Sequence, residues 1–243
     1  MQIKGSVALV TGANRGIGAE LAAALVEAGA AKVYAAARDP ATIRSGTLTS
    51  VRIDVTRDDQ VTAAAAQCRD VTLLINNAGI AAFKPLLEAP TMDDARAEME
   101  TNYFGTLRMC RAFAPVLKAN GGGAVLNILS VVSLFNVPMQ GSYAASKAAA
   151  MSLTQGIRYE LKAQGTRVHG AYFGYVDTAM TAHLHLAKEN PREIAHRVLA
   201  GVEADEEEIL ADQRAIDVRA ALARDPRAME PPMQAAWEAR QRR

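Results

Sequence analysis

The stretch "VTGANRGIG", residues 10–18, decides the fold class of this 243-residue chain. Gly12, Gly16 and Gly18 stand between an apolar run and an alanine-rich stretch with helical spacing. Glycines let the backbone turn sharply and approach a pyrophosphate, and the N-terminus of the following helix supplies amide donors and a positive dipole end. The spacing GxxxGxG is looser than the usual GxGxxG, but its place in a strand-to-helix turn predicts a dinucleotide-binding βαβ unit.

Short β-rich runs alternate with alanine-rich helical stretches along the rest of the chain. Strands are predicted at 6–12, 31–37, 49–55, 71–76, 122–130, 166–173 and 206–212, and helices at 16–28, 58–68, 101–119 and 142–163. This alternation predicts an α/β fold, a Rossmann-type doubly wound parallel sheet of about seven strands with helices on both faces. One domain spanning 1–243 is expected, with 213–243 as a short helix and a loosely packed tail.

The composition argues against several classes of function. The net charge of +1 gives no reason to expect nucleic acid or an anionic membrane as a partner. The two cysteines, Cys68 and Cys110, lack metal-ligand spacing, and the acidic run "EADEEE" (203–208) has no histidine at ligand spacing, so no metal site is predicted. With neither a membrane-length apolar run nor a signal peptide in the sequence, a cytoplasmic protein is expected.

The end of the second predicted strand reports on the 2′ position of an adenosine ribose. A carboxylate there would accept a hydrogen bond from a free 2′-hydroxyl and repel a 2′-phosphate. The sequence has Ala36 and Ala37 there, followed by Arg38, and Arg15 lies in the glycine loop. Two guanidinium groups suit a phosphate, which favours NADP(H) over NAD(H). The alternative is that Arg38 pairs with Asp39 at the surface.

A tyrosine and a lysine four residues apart point to proton transfer. Tyr143 and Lys147 would share a helix face, and an ammonium beside a phenol lowers the pKa of the phenol. Such a tyrosine can give a proton to a carbonyl oxygen or take one from an alcohol. Ser130 ends the fifth predicted strand and could offer the same oxygen a second hydrogen bond. A surface ion pair is the alternative for this common spacing.

Seven motifs in matching order resemble the short-chain dehydrogenases/reductases over roughly residues 5 to 212. They are "TGANRGIG" (11–18), "IDVT" (53–56), "NNAG" (76–79), "TNYFG" (101–105), "NILS" (127–130), "YAASK" (143–147) and "VDTAM" (176–180). The resemblance implies that Tyr143 is the acid/base, that Lys147 lowers its pKa and holds the nicotinamide ribose, and that Ser130 polarises the substrate carbonyl. It implies that Asn102 anchors a water in a proton relay, although such an asparagine can simply bond to backbone.

The same resemblance places a set of residues around the cofactor. Asp54 and Val55 would contact the adenine, and Val176 and Thr178 would hold the nicotinamide carboxamide. The full candidate set for cofactor binding is Gly12, Asn14, Arg15, Gly16, Ile17, Gly18, Arg38, Asp54, Val55, Asn77, Ala78, Gly79, Tyr143, Lys147, Gly174, Val176 and Thr178.

The chain departs from the family pattern after the sixth predicted strand. Phe173 stands where the family usually has a proline, and Tyr175 follows Gly174, so these rings are expected to shape the substrate pocket or press on the cofactor. The largely apolar segment 131–141 offers further candidates for the wall of that pocket, with core packing as the alternative. The candidate substrate-pocket residues are Val132, Phe135, Met139, Phe173 and Tyr175.

The predicted activity is NADP(H)-dependent interconversion of a hydrophobic, bulky or aryl ketone or aldehyde and its alcohol. Reduction of C=N on the same scaffold and a non-catalytic dinucleotide-binding regulator are the alternatives. The resemblance also implies a homodimer or homotetramer built through the helices at 101–119 and 142–163.

Replacing Arg38 with Asp is expected to shift the cofactor preference from NADPH toward NADH. The new carboxylate would repel a 2′-phosphate and accept a hydrogen bond from a free 2′-hydroxyl. The ratio of the two dissociation constants, measured by fluorescence titration of both proteins, checks this. A wild-type protein that bound NADH as tightly as NADPH would remove the basis for the assignment.

Overall fold

Seven parallel strands form one sheet in the computed structural model, which describes residues 1–44 and 46–242. The strands are β1 (Val7–Thr11), β2 (Lys32–Ala37), β3 (Thr49–Arg52), β4 (Leu73–Asn76), β5 (Gly123–Ile128), β6 (Thr166–Tyr172) and β7 (Glu208–Leu210). Their order is β3-β2-β1-β4-β5-β6-β7, so the direction of winding reverses between β1 and β4. In such sheets, ligands bind outside the carboxyl ends of the strands at this reversal.

Helices cover both faces of the sheet. They are α1 (Gly16–Glu27), α2 (Asp58–Gln67), α3 (Asp93–Glu98), α4 (Thr106–Ala119), α5 (Gly141–Lys162), α6 (Pro191–Glu203), α7 (Gln213–Arg224) and α8 (Glu230–Gln241). One core cluster contains Leu21 of α1 and Val198 of α6, and a second contains Val61 of α2, Phe113 of α4 and Ile157 of α5. The predicted fold class is confirmed.

Two helical regions differ from the sequence-based prediction. The helix expected at 101–119 belongs to a longer helical run in which α3 and α4 are joined by a π-helical segment, Met99–Gly105. The tail expected to be irregular after a short helix carries a second helix, α8. Its Pro231 and Pro232 lie in the first turn, where N–H groups have no intrahelical acceptor, so the missing N–H groups of the prolines cost the helix no hydrogen bond. Two residues lie outside the described part of the chain: Ser45, and Arg243 at the end of the predicted tail.

No described helix has the length and apolar character needed to cross a membrane. Within residues 1–44 and 46–242, no group of three or more His, Cys, Asp or Glu side chains is arranged to hold a metal ion. Cys68 and Cys110 are buried and free.

A buried polar chain ties β4 and β5 to helix α5. Asn76 donates to Asn127 Oδ1 across the sheet at 2.8 Å, and Asn127 donates to Thr154 Oγ1 on α5 at 2.9 Å. Thr154 in turn donates to the Ala150 carbonyl at 2.7 Å. Asn127 and Thr154 are almost fully buried, so water cannot replace these bonds. The chain fixes α5 against the strand ends beside the site.

Replacing Thr154 with Val is expected to lower the free energy of unfolding by about 1–3 kcal/mol, because a buried amide N–H of Asn127 would lose its acceptor. Thr154→Ser, which keeps the hydroxyl, is the matched control and should lose less stability than the valine variant. Urea unfolding of the three proteins measures the difference. Equal stability of the two variants would show that the hydroxyl contributes nothing.

Candidate active site

The glycine loop has a conformation that side chains would disturb. Gly16 has φ +54°, a left-handed value that disfavours other residues, and a Cβ there would lie 3.3 Å from Thr178 Cγ2. A Cβ on Gly18 would lie 2.2 Å from the Gly12 carbonyl oxygen, so only glycine lets α1 start this close to the loop. The helix N-terminus is thereby presented directly at the carboxyl end of β1.

The ends of β1 and β4 are bonded together behind this loop. The Thr11 hydroxyl oxygen accepts the backbone N–H groups of Asn77 and Ala78, both at 3.0 Å. The Asn77 side chain donates back to the Thr11 carbonyl at 2.9 Å. The side-chain amide of Asn77 therefore braces the loop, and only its remaining surface faces the cleft.

A cleft of about 740 Å³ runs from the glycine loop to the N-terminal half of α5. Its volume lies in the range of ligand-binding cavities. Every residue of the predicted cofactor set lines it, as do Ser130, Val132, Phe173 and Tyr175. Asn102 lies behind the lining. Leu134 and Phe135 border a second, shallower groove against α8, and Met139 lines neither cavity.

Three side chains with acid, base or hydrogen-bonding capacity meet at one end of the cleft. Ser130 follows β5 at the first position before a short 3₁₀ turn, Val131–Ser133, and its hydroxyl hydrogen-bonds to the Tyr143 phenol. Lys147 lies one helical turn after Tyr143, with Nζ 5.9 Å from the centroid of the tyrosine ring. Its ammonium donates to the Ile128 carbonyl at 2.8 Å. The arrangement can transfer a proton to an oxygen held between Ser130 and Tyr143.

Asn102 supports this group from the π-helical segment. Its side-chain amide donates to Ser146 Oγ and to the Ile80 carbonyl, and its Oδ1 accepts the Ile80 N–H, each at 2.9 Å. Gly79 stands between Asn102 and Lys147, since a Cβ there would lie 3.1 Å from Asn102 Oδ1 and 3.6 Å from Lys147 Nζ. The absence of a side chain at Gly79 leaves both polar groups facing the same space.

Burial sets the pKa values of the tyrosine and the lysine. Desolvation raises the pKa of Tyr143 to about 12, against the opposing effect of the Ser130 hydrogen bond. Desolvation also lowers the pKa of Lys147 to about 8. The shift of the phenol pKa is opposite to the one expected from the sequence, because withdrawal from water outweighs the hydrogen bond with Ser130. The phenol is therefore protonated at neutral pH.

The aromatic cluster after β6 divides between core and cleft. Tyr172 is 1% exposed and packs in a core cluster, and Phe173 is also buried. The carbonyl of Phe173 accepts the Val131 N–H at 3.1 Å, which fixes the turn beside Ser130. Tyr175 is half-buried, and its hydroxyl oxygen accepts a bond from Gln140 Nε2 at 2.9 Å. Tyr175 thus faces the catalytic end of the cleft.

Sequence reasoning missed two residues that line this end of the cleft, Gln140 and Arg214. Gln140 stands three residues before Tyr143, in a largely apolar segment in which only the apolar residues were predicted to line the pocket. Arg214 belongs to α7, in the segment expected to be a tail, and it lies 71 residues from Tyr143. No local pattern marks it.

Two loops meet over the cleft. The ring of Phe83 contacts the ring of His183 edge-on, with centroids 4.6 Å apart. Phe83 has φ +54°, an uncommon value for a residue with a side chain, and it lines the cleft itself. The contact therefore joins a residue of the cleft lining to the loop that carries His183.

The fold and the site are those of a nucleotide-dependent oxidoreductase, and the chain belongs to the short-chain dehydrogenase family, whose model matches residues 6–189. The family recognition and the enzyme class predicted from the sequence are confirmed. A short chain dehydrogenase from Burkholderia cenocepacia J2315, solved in complex with NADP, is 44% identical, superimposes with a TM-score of 0.93, and matches over 96% of this chain and 99% of that one.

Curated relatives act on different alcohols. Galactitol 2-dehydrogenase (L-tagatose-forming) of Cereibacter sphaeroides is 38% identical over 193 residues, which is 74% of this chain and 75% of the relative. The 7alpha-hydroxysteroid dehydrogenase of Escherichia coli K12 is 32% identical over 190 residues, 73% of this chain and 74% of the relative. The family relationship therefore does not identify the substrate, which depends on the residues that line the cleft.

The lowered pKa of Lys147 predicts a pH dependence of stability. Between pH 8 and 10.5 the unfolded chain binds more protons at this position than the folded protein, so the free energy of unfolding rises with pH. From pH 7.5 to 9.5, wild type is expected to gain about 2 kcal/mol relative to Lys147→Met, which has no titrating amine. Urea unfolding at both pH values measures this. The exposed Lys118→Met is the control, and a wild-type gain no larger than that seen against this control would contradict the desolvation of Lys147.

Proposed function

We propose that the protein is an NADP(H)-dependent oxidoreductase that interconverts a carbonyl compound and its alcohol, with Tyr143 as the acid and base. The observation that carries the proposal is the continuity of the cleft. One end is the glycine loop with its two arginines, and the other is the group of Ser130, Tyr143 and Lys147.

The adenosine end of the cleft fits a 2′-phosphate. Arg15 and Arg38 both line it, and neither makes an ion pair with any side chain in the described part of the chain. The carboxylate of Asp39 accepts the Ala41 N–H at 3.1 Å and so caps a short turn. It therefore does not form the surface ion pair with Arg38 that was the alternative interpretation of the sequence. Strand β2 ends in alanines, so no carboxylate on the strand opposes the phosphate. The NADP complex of the relative from B. cenocepacia supports the same choice.

Each residue of the catalytic group has a defined task. The glycine loop with Arg15 and Arg38 would hold NADPH along the cleft, and this cofactor would supply the hydride that the carbonyl carbon gains. Ser130 donates a hydrogen bond to the carbonyl oxygen, and Tyr143 delivers the proton that this oxygen gains. The high pKa of the phenol keeps that proton in place at neutral pH, and the ammonium of Lys147 stabilises the phenolate that forms.

Lys147 returns a proton to the phenolate of Tyr143, and Asn102 positions the water through which Lys147 regains its proton. Both face the space that Gly79 leaves open. A water in that space would contact the amide oxygen of Asn102 and the ammonium of Lys147 together, and so would carry protons between Lys147 and solvent. The amide itself stays fixed by its bonds to Ile80 and Ser146.

The substrate body is bulky and at least partly apolar. Val132, Phe173 and Tyr175 line the cleft together with Ser130, and the ring of Phe83 also lines it. Phe135 and Met139, which lie away from this cleft, are left out of the proposed wall. The substrate class is therefore a ketone, aldehyde or secondary alcohol with an aryl or comparably bulky group.

Assembly as a homodimer or homotetramer through α4 and α5 is part of the proposal. Tyr159 on α5 is 81% exposed and Phe104, just before α4, is 43% exposed. Large exposed side chains on α5 and on the π-helical segment that packs against it suit a self-complementary interface.

Replacing Tyr143 with Phe tests the mechanism. The variant should lose about 10²–10⁴-fold in kcat because the general acid is gone, while NADPH binds as before. Consumption of NADPH with reactive aryl ketones is followed by absorbance, and NADPH affinity by fluorescence. Tyr159→Phe removes a hydroxyl from the same helix outside the cleft, so it is the control and should match wild type. Turnover by Tyr143→Phe at the wild-type rate would end the proposal.

A further inference from the structure

The C-terminal part of the chain contributes a cation to the catalytic end of the cleft. Asp212 caps α7 by accepting the Ala215 N–H at 2.7 Å, and its other oxygen accepts the Gly174 N–H at 2.7 Å. Gly174 belongs to the turn whose preceding residue, Phe173, is bonded to the segment after Ser130. These bonds hold the first turn of α7, and Arg214 on it, at a fixed place relative to the reacting group.

Arg214 is ordered by packing. Its side-chain stem passes over Gly174, where a Cβ would lie 2.7 Å from Arg214 Cδ. Its guanidinium lies over the ring of Tyr175, with the central carbon 5.2 Å from the ring centroid. The Tyr175 hydroxyl is itself fixed by Gln140, which is 5% exposed. A stacked guanidinium loses less side-chain entropy when it binds a ligand than a free one.

No acidic side chain in the described part of the chain neutralises the charge of Arg214. Arg214 makes no ion pair with any residue in the described part of the chain. Asp212 and Asp217 are the nearby acids in sequence. Both oxygens of Asp212 accept backbone N–H groups, and Asp217 Oδ1 accepts from the Gln213 side chain at 2.8 Å. The acids that line the cleft within residues 1–44 and 46–242 are Asp39 and Asp54, which follow β2 and β3 at the adenosine end.

We propose that the substrate is an oxo acid or the corresponding hydroxy acid whose carboxylate binds Arg214. This rests on the proposed function above and names its substrate class. The Tyr175 hydroxyl accepts from Gln140 and so keeps its own proton for a second bond to the same carboxylate. The carbonyl meets Ser130 and Tyr143, and the apolar body lies along Val132. Arg214 is thus a specificity-determining residue for an anionic substrate.

Matched pairs of ketones test the inference. 3-Acetylbenzoate and 4-acetylbenzoate are compared with 3-acetylbenzamide and 4-acetylbenzamide, which have similar shape and no charge. For wild type, kcat/KM of at least one acid should exceed that of its amide by about tenfold, the effect of one charge-assisted hydrogen bond at a partly exposed site. Arg214→Gln should remove this advantage through KM, with kcat and both amides little changed. Arg214→Lys should restore part of it.

Two further measurements separate the possible failures. Arg224→Gln removes the same charge from the same helix away from the cleft and should behave as wild type. Calorimetric binding of the acetylbenzoates to the complex with NADP⁺ does not need turnover, and Arg214→Gln should weaken it by about tenfold. Amides used as well as acids by wild type would overturn the anionic substrate while leaving the proposed function standing.

If wild type reduces none of these ketones, the proposed function is overturned. The calorimetric comparison of wild type with Arg214→Gln would still decide the role of Arg214. Binding of the acids that is unchanged in Arg214→Gln would overturn that role. A weaker NADPH affinity in Arg214→Gln, with equal loss for acids and amides, would assign the guanidinium to the cofactor and also overturn it.

Discussion

The site depends on the pair of hydrogen bonds that the Thr11 hydroxyl accepts from the backbone of Asn77 and Ala78. Parallel strands put all their carboxyl ends at one edge, but the winding reverses between β1 and β4, and nothing in the sheet ladder closes the gap beyond the last paired residues. The threonine closes it. The glycine loop is then held on one side of the reversal and the segment leading to Gly79 on the other, so that the glycine loop and the residues near Lys147 border one continuous cleft.

Local features made the adenosine end and the catalytic pair predictable. A glycine turn after an apolar strand and a tyrosine four residues before a lysine each express their geometry within a few residues. Gln140 and Arg214 could not be found this way, because what brings them to the cleft is tertiary: the bond from Gly174 to Asp212 joins residues 38 apart. Phe135 and Met139 show the converse limit. Their apolar character suited a wall, but Phe135 lines the groove against α8 and Met139 lines neither cavity, and only the packing of the turn decides this.

The electrostatics of the catalytic group are governed by water exclusion more than by the spacing of charges. Burial disfavours the charged forms of both groups, the ammonium of Lys147 and the phenolate of Tyr143. Lys147 is thereby brought close to releasing a proton near neutral pH, whereas Tyr143 keeps its proton until negative charge develops on an oxygen beside it. The buried chain of Asn76, Asn127 and Thr154 holds the helix that carries both groups, and it does so without placing a competing charge beside them.

The bond between Gly174 and Asp212 has a consequence for biosynthesis. A nascent chain that has been translated as far as β6 already contains the glycine loop, Ser130, Tyr143 and Lys147, yet the turn after β6 has no acceptor for its Gly174 amide until residue 212 has emerged. The part of the cleft that would select the substrate is therefore completed last. During translation, the groups that would transfer the proton are therefore made before the residue that would discriminate among substrates.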